Sequence, residues 1–300
     1  MIFILCASIG YGLATFSVVR ASYSTAAETT APWLLPVMAA TLAHAGYHIE
    51  RASFALHRAD MHFFAALSFT ALGMAVLTSC FAGKRRMGAL GVVVYPLAEL
   101  FLLLYASHPA HFGPMLDWQL CLHAWLALLA YATLSIAALL AIMLWTQDYT
   151  LRNRHLYRWL TALPPLTELE ILLFRTIMAG FILLTFTLIT GLAFIDDFLS
   201  QQLVSKTILS ILSWVIFGAL LLGRRRSGWR GRKAARLTLT AMALLIMAYF
   251  GSQWFFERTY SARLETTRLS QLIRISSATI PRLHEINDWG HAPPVDDCYH

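Results

Sequence analysis

The chain has 300 residues, 58% of them hydrophobic and only 13% charged, with a net charge of +7 and a mean hydropathy of +0.60. A water-soluble domain is about a quarter charged, so this composition excludes one and points to an integral membrane protein. The excess positive charge falls in short loops between apolar runs, the pattern of loops facing anionic cytoplasmic lipid and not of a nucleic-acid surface.

Eight apolar runs follow in order, over about 1–19, 31–49, 61–82, 88–106, 119–146, 170–194, 207–222 and 237–254. A bilayer core takes roughly 20 apolar residues of helix. Continuous runs predict an all-α polytopic bundle of about eight transmembrane helices; a barrel would show alternating segments. Met1 leads into the first run with no basic stretch before it, so that run reads as a span and not as a cleaved signal peptide. The bundle is expected over 1–254. Residues 255–300 are polar and mixed in charge, and Pro281, Pro293 and Pro294 interrupt them, which predicts an extra-membrane tail, partly disordered.

Loop charges orient these spans. Lys84, Arg85 and Arg86 place the third loop inside, Arg152, Arg154 and Arg158 the fifth, and the arginine-rich seventh loop (Arg224, Arg225, Arg226, Arg230, Arg232, Lys233, Arg236) follows the same rule. His108, His111 and Asp117 mark the fourth loop as outer, and Asp196 and Asp197 the sixth. Both termini are then expected on the periplasmic side of an inner (plasma) membrane. Arg51 and Arg58, in an outer loop, fit least well.

Ionisable groups within a span are costly and are candidates for function. His123, at the outer start of the fifth run, is a ligand for haem iron or a metal, or an interfacial histidine bonded to water or backbone. His44 and His48 stand four apart on one helical face, a spacing that permits joint ligation and also arises by chance. His57 and His62 do not share a face in that way and read as interfacial. Glu99, beside Pro96, is the deepest acid, either satisfied between helices or facing a polar cavity. Glu168 and Glu170 open the sixth run, where acids complement the helix dipole, and Arg175 is placed to pair with either. Trp214, Trp229 and Trp254 read as interface anchors. Phe194 and Phe198 offer an aromatic surface to a flat ligand, or belong to an aromatic belt. Cys6, Cys80, Cys121 and Cys298 form no CxxC; those in or beside apolar runs are expected to be buried thiols, without relay chemistry.

Three segments together resemble the cytochrome c assembly family of haem-handling membrane proteins, in particular its short YpjD/HemX-like inner-membrane branch. They are LHAWLALLAYATLSIAALLAIMLW at 122–145, LPPLTELEILLFRTIMAGFILLTFTLITG at 163–191, and the last hairpin with SKTILSILSW and GWRGRKAARLTLTAMALLIMAYFGS. The resemblance implies haem as cofactor, bound at the outer face between a tryptophan-rich loop and two external histidines, and cytochrome c maturation components as partners. His123 matches the first external histidine, Lys206 the lysine that closes the loop, and Arg224 an arginine of those members before which Leu222 stands in place of a histidine. The loop itself, LAFIDDFLSQQLVS at 192–205, has no tryptophan, and SQWFFERTY after Gly251 has no second histidine.

No Walker loop, nucleophile elbow, HExxH or dinucleotide fingerprint occurs, so no enzyme is expected. The leading expectation is a haem-associated protein assisting cytochrome c maturation, with His123 as ligand and His44 as a second. The alternatives are a non-enzymatic accessory protein that holds another membrane protein, and a small-solute or ion transporter using Glu99 and the His44/His48 face.

Overall fold

The computed structural model describes residues 1–23, 33–54, 63–81, 90–108, 117–152, 165–194 and 201–249. Each expected run has a helix there: α1 Ile2–Tyr23, α2 Leu34–Phe54, α3 Phe63–Phe81, α4 Gly91–Ser107, α5 Trp118–Arg152, α6 Leu166–Phe194, α7 Gln201–Ser227 and α8 at 231–249. Five are long and apolar enough to cross a membrane (within α1, α3, α5, α6 and α7), and α4 is a shorter apolar helix. The protein is an all-helical membrane bundle, as no other fold keeps every backbone group satisfied in hydrocarbon except a closed barrel.

Two compact units divide the chain, Met1–Ala248 and Tyr249–His300. The bundle is the first. The expected tail at 255–300 lies outside the described residues, as do His57, His62, Phe198, Trp254 and Cys298.

Side-chain contacts fix the register. His123 against Thr190, and Leu134 against Gly180, make α5 and α6 antiparallel neighbours. A Cβ on Gly180 would fall 2.5 Å from the Leu134 side chain, so only glycine lets the two backbones approach this closely. Asp148 with Arg232, Trp145 with Arg236, and Tyr131 with Leu245 make α8 antiparallel to α5. Phe69 on Trp125 and Gly73 on Ala132 run α3 parallel to α5. At the other side Gly10 meets Ala40, joining α1 to α2, and Tyr11 stacks on Tyr95, joining α1 to α4. Alternating up and down helices place His123, Arg51 and His108 at one end and the arginine-rich turn at the other.

Three expectations are corrected. The last basic stretch, expected as a turn between runs ending at 222 and starting at 237, is mostly helical: α7 continues through Arg224, Arg225 and Arg226, α8 begins at 231, and only 228–230 are non-helical. Long arginine side chains extend past the apolar boundary while their backbone stays helical. Likewise α6 ends at Phe194 and α7 begins at Gln201, leaving six positions between them where the sequence suggested a longer loop. Finally, Cys6 and Cys80 are exposed and Cys121 half-buried. In a bundle surrounded by lipid the outward face is also apolar, so an apolar run does not imply an interior side chain.

Candidate functional site

His123 lies half-buried one turn into α5, facing the last turn of α6. Its Nδ1 is 3.1 Å from the Thr190 hydroxyl. That hydroxyl directs its single proton to the backbone carbonyls of Phe186 and Thr187, at 2.9 and 3.0 Å. The Thr190 oxygen is therefore the acceptor and His123 Nδ1–H the donor. The neutral ring then carries its lone pair on Nε2, which is the form a metal ligand requires. Gly191 makes room for the ring, since a Cβ there would stand 3.0 Å from His123 Cε1. Beside this pair Trp118 of α5 and Phe194 of α6 meet with ring centroids 6.1 Å apart, and Trp118 is 71% exposed. Residues 123 and 190–191 thus hold an oriented imidazole next to an open aromatic edge. Lys206, half-buried on α7, lies at the same end by the antiparallel register of α6 and α7, which is set by the 2.8 Å bond from Trp214 Nε1–H to the Thr185 hydroxyl. Trp214 is accordingly an inter-helix tie, stacked on Phe181, and not an interface anchor.

His44 is built differently. It is fully buried, its Nδ1 is 3.1 Å from the Tyr11 hydroxyl and its Nε2 is 2.8 Å from the Ser68 hydroxyl. His48 Nε2 reaches the same hydroxyl at 3.1 Å, and its ring is sandwiched by Phe69 and Tyr105 at 3.7 and 4.8 Å. Both ring nitrogens of His44 are engaged, so in this arrangement it has no lone pair to give a metal. No cluster of three or more His, Cys, Asp or Glu that could hold a metal ion occurs among the described residues. Glu99, midway along α4 and half-buried, has no hydrogen-bond or ion-pair partner among them, His44 and His48 included.

Arg51, the poor fit in the outer loop, caps a helix. Its guanidinium donates to the carbonyls of Tyr105 and His108 at the C-terminus of α4, at 3.3 and 2.9 Å, and lies over the Tyr47 and Tyr105 rings. The negative end of the α4 dipole balances its charge.

At the arginine-rich end Glu170 accepts the Gly231 N–H at 2.9 Å, the first amide of α8, and lies 3.4 Å from Arg230 and 3.8 Å from Arg224. This corrects its expected pairing with Arg175, which is exposed and turned away. Gly228 and Gly231 take φ of +61° and +57°, a conformation that costs other residues about 1 kcal/mol or more. Trp229 folds back over Gly223, where a Cβ would be 2.4 Å from its ring, and Lys233 Nζ sits 3.6 Å from its centre. Glu170, Arg224 and Trp229, each singled out from sequence, thus meet in one structural clamp. Glu168 lies in the first turn of α6, where its charge suits the dipole.

Sequence reasoning missed Thr190, Ser68 and Tyr11. Each is a hydroxyl whose partner comes from another helix, and only Thr190, adjoining a glycine at a helix end, carried a local hint.

The comparisons with known proteins agree with this architecture. A family model described as Cytochrome C assembly protein matches residues 33–259. The chain is similar to the inner membrane protein YpjD of Escherichia coli K12, with 34% identity over 188 residues, 62% of this chain and 71% of that protein. It is also similar to the cytochrome c biogenesis protein CcsA of Prochlorococcus marinus, 28% identical over 160 residues, 45% of this chain and 50% of that one. An uncharacterized 28.8 kDa protein of Azospirillum brasilense is 36% identical over 132 residues, covering 43% of this chain and 49% of its own. No solved structure matches.

Proposed function

Because the chain belongs to the cytochrome c assembly protein family, we propose that it is a multi-pass inner-membrane protein that binds haem through His123 and assists cytochrome c maturation without itself being an enzyme. The observation that carries the reading is the oriented His123, with Nδ1–H donated to Thr190 and Nε2 left as the ligand atom. His123 would hold the iron of a haem through Nε2, as a single histidine ligand. Haem would supply the iron centre. The chain supplies the ligand nitrogen, the Thr190 hydroxyl that fixes its tautomer, the space at Gly191 and the Trp118/Phe194 edge for a flat ring. With the arginine-rich end in the cytoplasm, this site opens on the periplasmic side, where cytochrome c is matured.

Titration of the detergent-purified protein with haem tests the proposal. The wild type is expected to develop a Soret band, His123→Ala to lose it, and Thr190→Val to bind about 10–100-fold more weakly, the usual weight of a partner that orients a ligating histidine. A wild type without the band, or a band indifferent to His123→Ala, overturns it.

A second reading is favoured by Glu99. An unpartnered carboxyl midway through a span is costly, and a transmembrane segment of another protein carrying a donor would satisfy it. The bundle would then serve as a holder for that protein. Cross-linking in intact membranes should lose a partner on Glu99→Leu; an unchanged pattern removes this reading.

A further inference from the structure

Away from His123, the cytoplasm-proposed end of α5 carries a groove of about 260 Å³ lined by Ile142, Trp145, Thr146 and Tyr149. These four stand at i, i+3, i+4 and i+7, so they form one stripe of the helix. Trp145 is 36% and Tyr149 57% exposed, so the groove opens to the surroundings of the bundle. Arg236 of α8 borders it, its guanidinium carbon 5.7 Å from the Trp145 ring centre.

Among the described residues Arg236 is the cation that lies against a groove-lining ring, and the nearby carboxylates are engaged elsewhere. Asp148 is committed to Arg232 at 2.6 Å and to Arg152 at 3.2 Å. Glu170 is committed to Arg224, Arg230 and the Gly231 amide. Arg236 is exposed and pairs with no carboxylate among the described residues. An apolar floor below, aromatic side chains at the end of the helix, and at the rim a guanidinium with no carboxylate partner among the described residues match a single class of ligand. Tryptophan and tyrosine favour the headgroup level, and a guanidinium binds phosphate oxygens in a bidentate fork.

We propose that this groove binds one anionic phospholipid, with the phosphate at Arg236 and an acyl chain along Trp145 and Ile142. A neutral zwitterionic lipid lacks the net charge that Arg236 calls for.

Native mass spectrometry of the full chain in detergent, titrated separately with dioleoyl-phosphatidylglycerol and dioleoyl-phosphatidylcholine, tests this. The wild type is expected to bind the first phosphatidylglycerol about fivefold more tightly than phosphatidylcholine, the weight of one basic side chain at an anionic surface. Arg236→Gln should abolish that preference, and Arg236→Lys should keep part of it. Arg225→Gln removes an exposed charge at the same end of the bundle and should leave the preference intact. Trp145→Ala keeps Arg236 and should weaken both lipids, which provides a second reading if Arg236→Gln fails to fold. No preference in the wild type, or an equal loss from Arg225→Gln and Arg236→Gln, overturns the proposal; the latter would mean a diffuse basic surface with no site.

Discussion

His123 and His44 are both neutral imidazoles in hydrogen bonds, yet they differ in what is left over. Thr190 occupies one nitrogen of His123, whereas Tyr11 and Ser68 occupy both nitrogens of His44. The first arrangement orients a ligand and the second completes a buried network. Two substitutions separate them. Ser68→Ala strands polar atoms of His44 and His48, and an unsatisfied buried polar group costs about 1–3 kcal/mol. It should lower the thermal unfolding temperature in detergent while leaving haem binding as it is. Gly191→Ala places a methyl 3.0 Å from the His123 ring and should do the reverse, weakening haem binding with a small change in stability. Neither distinction was legible in the sequence. The four-residue spacing of His44 and His48 correctly suggests a shared face, but what that face meets is decided by Tyr11 and Ser68 on other helices.

At the scale of elements, the hairpin of α7 and α8 is held by a carboxylate from α6. Glu170 joins two arginines and a helix N-terminal amide, so its loss frees three partners at once. Glu170→Ala is expected to destabilise by about 1–3 kcal/mol, since charge-assisted hydrogen bonds outweigh neutral ones but these lie near the water boundary. Gly223→Ala should cost a similar about 1–3 kcal/mol by overpacking against Trp229. Thermal melts of each variant check both figures. The sequence identified Glu170, Arg224 and Trp229 separately and offered the nearby Arg175 as a partner for either Glu168 or Glu170. Proximity along the helix favoured that choice; the actual partners arrive from the end of α7 (Arg224), the turn after it (Arg230) and the start of α8 (Gly231), which no local pattern reveals. The eight runs themselves were legible because lipid and core both demand apolar residues. The same fact hid the exposure of Cys6 and Cys80, and the C-terminal end of α7 was obscured because arginine tolerates a helix beyond the apolar boundary.

For the whole molecule, the contacts sort the polar groups into two ends. Asp148, Glu170 and the arginine-rich turn gather at one, and His123, Arg51 and His108 at the other. The sequence charges predict the first end to be the cytoplasmic one. Alkaline phosphatase fused after residue 254 should be active in the periplasm, and fusions within 225–226 should be inactive; activity at 225–226 would invert the assignment. The tryptophan-free stretch at 192–205 is helical up to Phe194 and again from Gln201, and the aromatic pair described at its start is Trp118 and Phe194.

The proposed haem site rests on one histidine, and the absorbance spectrum of the haem-loaded protein beside His44→Ala and His123→Ala tests it. A five-coordinate spectrum is expected, unchanged by His44→Ala and abolished by His123→Ala. A six-coordinate spectrum that His44→Ala converts to five-coordinate would contradict it, because His44 would then have left Tyr11 and Ser68 to ligate iron.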